Sequence, residues 1–384
     1  MMERAGLYIH IPFCVRRCAY CDFVSYAGRE DAMEAYVAAL LSEMESVFWR
    51  FPALAVPTVY VGGGTPSSLP PGLIARVLGR ARELFAIGPD AEITVEANPE
   101  TASARKLTEY ARAGVNRLSL GLQSASSRIL EAIGRLHNAE DFERAASFAR
   151  EAGIENIGAD VMYGLPGQTT GDHARALAAA VDAGAKHVSA YALTLAEGTP
   201  LDAAVREGAV SLPNEDEQYA MYLAGDDFLE AHGLLRYEVS NYAAPGRECR
   251  HNLSYWRNEP YVGLGAAAHS CIDTGDGAIR TENVPGLDEY IARAARGESP
   301  IMRSIRIGRE ESMFETMMLG LRLVDGVDTD AFCARYGAKA GEVFAGPVER
   351  LARSEMIRME KGRLKPTGKG LDFHTLVALE FLGK

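Results

Sequence analysis

The sequence has no uninterrupted apolar stretch long enough to cross a bilayer. Its opening residues, Met1-Met2-Glu3-Arg4-Ala5-Gly6, hold no apolar segment of the kind that directs secretion. Both absences lead to the expectation of a cytoplasmic protein that meets a membrane only through an acceptor. Basic charge is not in excess. The 40 Lys and Arg are outnumbered by 52 Asp and Glu, for a net charge of −12, which argues against wholesale binding of nucleic acid or anionic lipid. Cysteine is scarce, with six in 384 residues, too few for a disulfide scaffold. No second Cys-x2-Cys completes a paired zinc site. Internal repeats and low-complexity tracts are also missing.

Hydrophobic residues make up 47% of the chain, enough for a large core. They fall into two alternating patterns. Short apolar runs at Leu7–Phe13, Thr58–Gly62, Glu92–Ala97, Arg117–Leu120, Asn156–Met162 and His187–Tyr191 read as strands. Segments with helical periodicity lie between them, at Asp31–Trp49, Leu73–Phe85, Ala104–Ala113, Glu140–Ala152 and Asp172–Ala183. Six such units predict an α/β protein built on a partial (β/α)6 barrel over residues 1–200, with its chemistry at the carboxyl ends of the strands. A small α+β region over 201–305 follows, containing a helix at Asn214–Ala231 and a Gly-Asp-Gly hairpin signal at Gly275–Gly277. Residues 306–384 read as three helices, a hairpin around Met356–Lys365 and a last helix, an order similar to a winged helix. This tail has 13 basic and 12 acidic residues, a poor balance for reading DNA, so packing or covering is the expected role.

The first strand runs into Cys14-Val-Arg-Arg-Cys18-Ala-Tyr-Cys21. In a reducing compartment three cysteines within eight residues read as metal ligands. The spacing lets one loop offer three thiolates to three irons of a [4Fe–4S] cubane and leaves the fourth iron for an outside ligand. Three buried structural thiols are the plain alternative. Gly62-Gly63-Gly64-Thr65-Pro66 ends the second strand without the Lys-Ser/Thr of a phosphate loop. Its backbone can approach a ligand closely. Glu96, at the end of the third strand, could take an ammonium or a ribose hydroxyl, or be a solvated surface carboxylate.

The Cys-x3-Cys-x2-Cys motif resembles that of the radical S-adenosylmethionine superfamily. With Gly63-Gly64-Thr65, Glu96, Gln123 in Ser-Leu-Gly-Leu-Gln, Arg135 in Gly-Arg-Leu-His and Asp160 in Gly-Ala-Asp-Val-Met-Tyr-Gly, the likeness extends over nearly the whole chain. It points to the group around oxygen-independent coproporphyrinogen oxidase. The resemblance implies a [4Fe–4S] cluster on Cys14, Cys18 and Cys21. It assigns Tyr8, Gly63 and Glu96 to one S-adenosylmethionine, and Tyr20, Gly64, Thr65, Gln123, Arg135, Asp160 and Thr194 to a second position. His10, in a family-like Tyr-Ile-His-Ile-Pro-Phe-Cys, reads as structural.

Three features depart from the oxidase. Phe23 stands where the oxidase has a fourth cysteine, only 13 residues precede Cys14, and His251-Asn-Leu-Ser-Tyr255-Trp256 forms an HNxxYW motif. That motif resembles the HemW-type haem chaperones. The resemblance implies haem as a further cofactor and a haem-acceptor protein as partner. An electron donor of the flavodoxin or ferredoxin kind follows, and a homodimer is compatible. Imidazole is a good axial ligand and aromatic rings stack on porphyrin, so His251, Tyr255 and Trp256 become candidate haem contacts. Cys249 could be a second contact and His269 a rival ligand. A core aromatic turn with a hydrogen-bonded histidine is the other reading of the motif. Two functions stand side by side: haem delivery, and radical decarboxylation of coproporphyrinogen propionates.

Overall fold

A computed structural model describes residues 2–382. The six predicted strands form as β1 (Gly6–Ile11), β2 (Ala55–Gly63), β3 (Ala86–Ala97), β4 (Arg117–Gln123), β5 (Asn156–Tyr163) and β6 (His187–Ala192). Helices form between them as α1 (Met33–Arg50), α2 (Leu73–Leu84), α3 (Ala104–Arg112), a short α4 (Ser127–Ala132), α5 (Ala139–Glu151) and α6 (Thr170–Asp182), with α4 lying outside the five expected segments. All six strands are parallel and sequential, the arrangement that βαβ crossovers impose. Strand β3 begins at Ala86 rather than Glu92. Its early part, Ala-Ile-Gly-Pro-Asp, pairs with β2 and is largely exposed, and its Gly-Pro-Asp run gives no apolar alternation to mark a strand.

Beyond α7 (Pro200–Arg206) and α8 (Glu215–Ala231) come β7 (Leu235–Glu238), β8 (Asn241–Ala243), α9 (Arg250–Trp256), β9 (Tyr261–Leu264), β10 (His269–Asp273), β11 (Ala278–Asn283), α10 (Leu287–Ala295) and β12 (Ile301–Ile307). These strands join the barrel sheet at both edges, giving the order β12-β11-β10-β9-β1-β2-β3-β4-β5-β6-β8-β7. Strand β9 lies parallel to β1; β8 runs antiparallel to β6.

Residues from 307 onward have their own core of Met317, Leu321, Phe332, Leu351, Ile357, Leu364 and Val377. Helices Arg309–Gly320, Thr329–Tyr336, Ala340–Val343 and Ala345–Arg353 precede a hairpin of Ile357–Glu360 with Arg363–Pro366, one short helix more than the three expected. Buried Glu238 accepts two bonds from Arg322 at 2.9 and 3.1 Å, and Arg280 pairs with Glu315 at 2.9 Å. Both contacts fix the tail against the barrel sheet. No helix among the described residues is long and apolar enough to cross a membrane.

Candidate functional site

Alternation along each barrel strand sends every second side chain outward, where Leu118, Leu120, Ile157 and Ala159 pack into the core under the helices. The other set faces the lumen and is polar or small. It lines a cavity of about 310 Å³ at the carboxyl ends of the strands. Its walls include Cys14, Cys18, Tyr20, Cys21, Gly63, Gly64, Thr65, Glu96, Gln123, Arg135 and Asp160. Eleven sequence-predicted residues therefore converge on one space.

The three cysteines are unpaired and half-buried. Thr65 donates its hydroxyl to Cys14 Sγ at 3.4 Å, and Arg135 reaches Cys18 Sγ at 3.5 Å. The Thr65 contact favours a thiolate on Cys14. Burial pushes the Cys14 and Cys21 thiols up, so each would surrender its proton on binding metal. No group of ligating side chains among the described residues closes around a single ion. A mononuclear site needs such convergence; a cubane takes each thiolate at a different iron. A loop with three cysteines lining one cavity, two of them already receiving hydrogen bonds, fits the cubane.

Arg135 is fixed by donating to Asn98 Oδ1 at 2.9 Å and to the Gly121 carbonyl at 2.8 Å. Glu96 accepts from the Tyr60 hydroxyl at 2.7 Å and from the Gly63 amide at 3.1 Å. Desolvation, reinforced by Asp160, pushes its carboxyl up to about 7 despite those two donors. Gly63 has φ of 112°, and a Cβ there would sit 2.5 Å from the His10 ring. Only glycine lets this turn lie over the strand ends. Gln123 has a φ of 62° at a register shift between β4 and β5. Its Oε1 accepts from Tyr191 at 3.2 Å. Strain of this kind is held at sites where the side chain's aim matters.

Two expected ligand contacts lie off the cavity wall. Tyr8 bonds His10 Nδ1 at 3.0 Å and lies against Tyr60; Thr194 is exposed on the loop after β6. His10 is structural as expected, held also by the Val24 carbonyl at 3.0 Å. The alternating polar positions of the strands also bring Tyr60, Arg117, Ser119, Ser189 and Tyr191 to the cavity. That period of two, Arg117-Leu-Ser119-Leu-Gly121 for instance, was the sequence signal for them.

The HNxxYW motif forms α9, which closes the lower end of the barrel. The Glu92 carboxylate accepts from the Arg250 and His251 amides, both at 3.0 Å, and anchors the start of the helix. His251 is 1% exposed. Its Nδ1 bonds Thr58 Oγ1 at 2.8 Å, its Nε2 bonds Tyr255 Oη at 3.0 Å, and its ring stacks on Tyr60. Burial, with Arg117 nearby, pushes its imidazole down to about 3, so the ring is neutral. In this packing both nitrogens of His251, expected as an iron ligand, are engaged inside the fold. Tyr255 is committed to the same bond, Cys249 is fully buried, and Trp256 lies under the Arg322 guanidinium at 4.3 Å. Asn252 alone reaches the cavity. His269 is different. Of the eight histidines it is the one that is exposed and free of side-chain hydrogen bonds among the described residues.

Comparison with known proteins agrees with this geometry. Residues 8–180 match the Radical SAM superfamily, and residues 307–373 match the HemN C-terminal domain. The chain is 36% identical over 378 residues to a protein named Heme chaperone HemW from Bacillus subtilis, covering 98% of this chain and 99% of the relative. It is 39% identical over 336 residues to the protein of that name from Escherichia coli, covering 86% of each. The solved structure of coproporphyrinogen III oxidase (HemN) from Escherichia coli superposes with a TM-score of 0.85 at 22% identity, over 99% of this chain and 90% of that one, which shows a shared fold. With its cysteine loop, barrel and tail all accounted for, the chain belongs to the HemW family of radical S-adenosylmethionine proteins.

Proposed function

We propose that this protein is a haem chaperone, binding haem and passing it to an acceptor protein. The observation that carries this reading is the end-to-end similarity to proteins of that name. Phe23 supports it against the oxidase reading. It is 65% exposed at the cavity rim, where the oxidase motif would place a fourth cysteine. Cys14, Cys18 and Cys21 would hold a [4Fe–4S] cluster, which would supply an open iron for the amino-acid end of S-adenosylmethionine. Around it, Glu96 presents a carboxylate to the ammonium group, Gly63 and Gly64 present backbone, and Arg135 with Asp160 and Gln123 hold the nucleoside side of the cavity.

Haem titration of anaerobically reconstituted protein, followed by the Soret band, is expected to saturate near one equivalent. Protoporphyrinogen production with consumption of S-adenosylmethionine would instead establish the oxidase. For the iron ligand, the exposed and unbonded His269 is the stronger candidate. His269→Ala is expected to weaken haem binding about tenfold or more, equivalent to about 1.4 kcal/mol, with cluster absorbance unchanged. His251→Ala is expected to lower unfolding stability by about 2–4 kcal/mol through two lost buried hydrogen bonds and a stacked ring. Unchanged haem affinity in His269→Ala would remove that ligand assignment.

Binding of S-adenosylmethionine follows the charge on Glu96. With the carboxyl pushed up to about 7, it is protonated below that pH and loses its attraction for an ammonium. Affinity is expected to fall about tenfold per pH unit below 7, as one proton is displaced on binding, and to level off above. Equilibrium dialysis from pH 6 to 8.5 measures this, and Glu96→Gln is expected to flatten the profile.

A further inference from the structure

The lower part of the cavity holds a charge that none of these roles uses. Arg117 is 1% exposed, yet its guanidinium forms no hydrogen bond or ion pair among the described residues and meets charge only through space. The nearest acid on that side, Glu92, already accepts from the amides of α9. Asp160, above, is held by Ser119 at 3.3 Å. Other polar atoms without partners lie on the register neighbours of Arg117, Thr94 Oγ1 and Asn156 Oδ1, and on β6, His187 Nδ1. Gly158 keeps room beside it, since a Cβ there would lie 3.1 Å from Arg117 Nη2 and 3.4 Å from His187 Nδ1. Asn252, projecting from α9, shares the cavity wall with Arg117.

Burying a cation without a partner costs several kcal/mol. A planar fork at a cavity wall recovers that cost when a carboxylate docks on it in two-pronged fashion. We propose that Arg117 and Asn252 form a carboxylate subsite at the base of the barrel cavity, taking the acid group of an organic ligand that enters past the cysteine loop. Two sources share that chemistry: a haem propionate, which rests on the haem-chaperone reading, and the amino-acid carboxylate of an S-adenosylmethionine molecule. The subsite gives α9 a direct part in ligand binding, through Asn252 rather than through His251.

The test compares full-length, anaerobically reconstituted wild type with Arg117→Met and Asn252→Leu. Each is titrated with haem, haem dimethyl ester, S-adenosylmethionine and its decarboxylated analogue. For one acid, both variants are expected to weaken binding at least tenfold while leaving the carboxylate-free counterpart unchanged; the pair that responds names the source. Equal effects on acid and carboxylate-free ligand in both pairs, or no effect in either, overturn the subsite. If Arg117→Met does not fold, Asn252→Leu decides, because the Asn252 side chain is bound to nothing that the fold requires. Wild type that binds no haem overturns the chaperone reading alone, and the S-adenosylmethionine pair then decides the subsite.

Discussion

Cys18→Ala is expected to bring iron and sulfide content to background and to abolish S-adenosylmethionine binding, with the fold intact. On the proposed assignment the three thiols would each serve a different iron, so losing one would leave two irons of the cubane without a protein ligand in place of one. A neighbouring substitute is missing: Phe23 occupies the next candidate position, and Cys249, Cys271 and Cys333 lie far along the chain. Cys18 itself is half-buried on a loop, where its thiol meets Arg135 at 3.5 Å and lies beside Tyr20. Its removal therefore costs little stability. Metal analysis, visible absorbance and equilibrium dialysis measure the three effects, with Cys333→Ala as the variant expected to retain full iron. A Cys18→Ala protein that still assembles a full cluster would break the ligand assignment.

Glu92→Ala is expected to destabilise the protein by about 3–5 kcal/mol, the range for removing one partner from a buried charged network. The carboxylate accepts the Arg250 and His251 amides and lies 3.6 Å from Cys249 Sγ. Its loss leaves those donors unmet and strips Arg117 of its nearest lower anion. Helix α9 should then detach from the barrel end, loosening His251 from Thr58 and Tyr60. Urea unfolding measures the loss. Glu92→Gln keeps an acceptor oxygen without the charge and is expected to fall between wild type and Glu92→Ala. A loss below 1 kcal/mol for Glu92→Ala would show that α9 is held by its aromatic packing instead.

These two sites differ in how far the sequence reveals them. The cysteine loop is local: ligands within eight residues, placed at the end of an apolar strand, announce their chemistry before any folding is known. The barrel strands are legible for a related reason. One face of each must be apolar to pack under helices, and the helices repeat between them. The lumen positions Tyr60, Arg117, Ser119 and Ser189 were present in the same period-two pattern, but a polar residue facing inward and one facing solvent look alike along a chain.

By itself, then, the sequence determined the six strands and the five helical segments between them, the three-cysteine loop and the helix–hairpin–helix tail, because each depends on residues a few positions apart. Tertiary structure alone decided which histidine is held and which is free. His251 meets Thr58 across 193 positions, and closure of the barrel buries it against Tyr60 while leaving His269 exposed at the start of β10. It also decided that Arg117 reaches the cavity unpaired, since the acid nearest to it, Glu92, is claimed by a helix more than 150 residues downstream. Burial and competition for partners arise only when distant segments share one space.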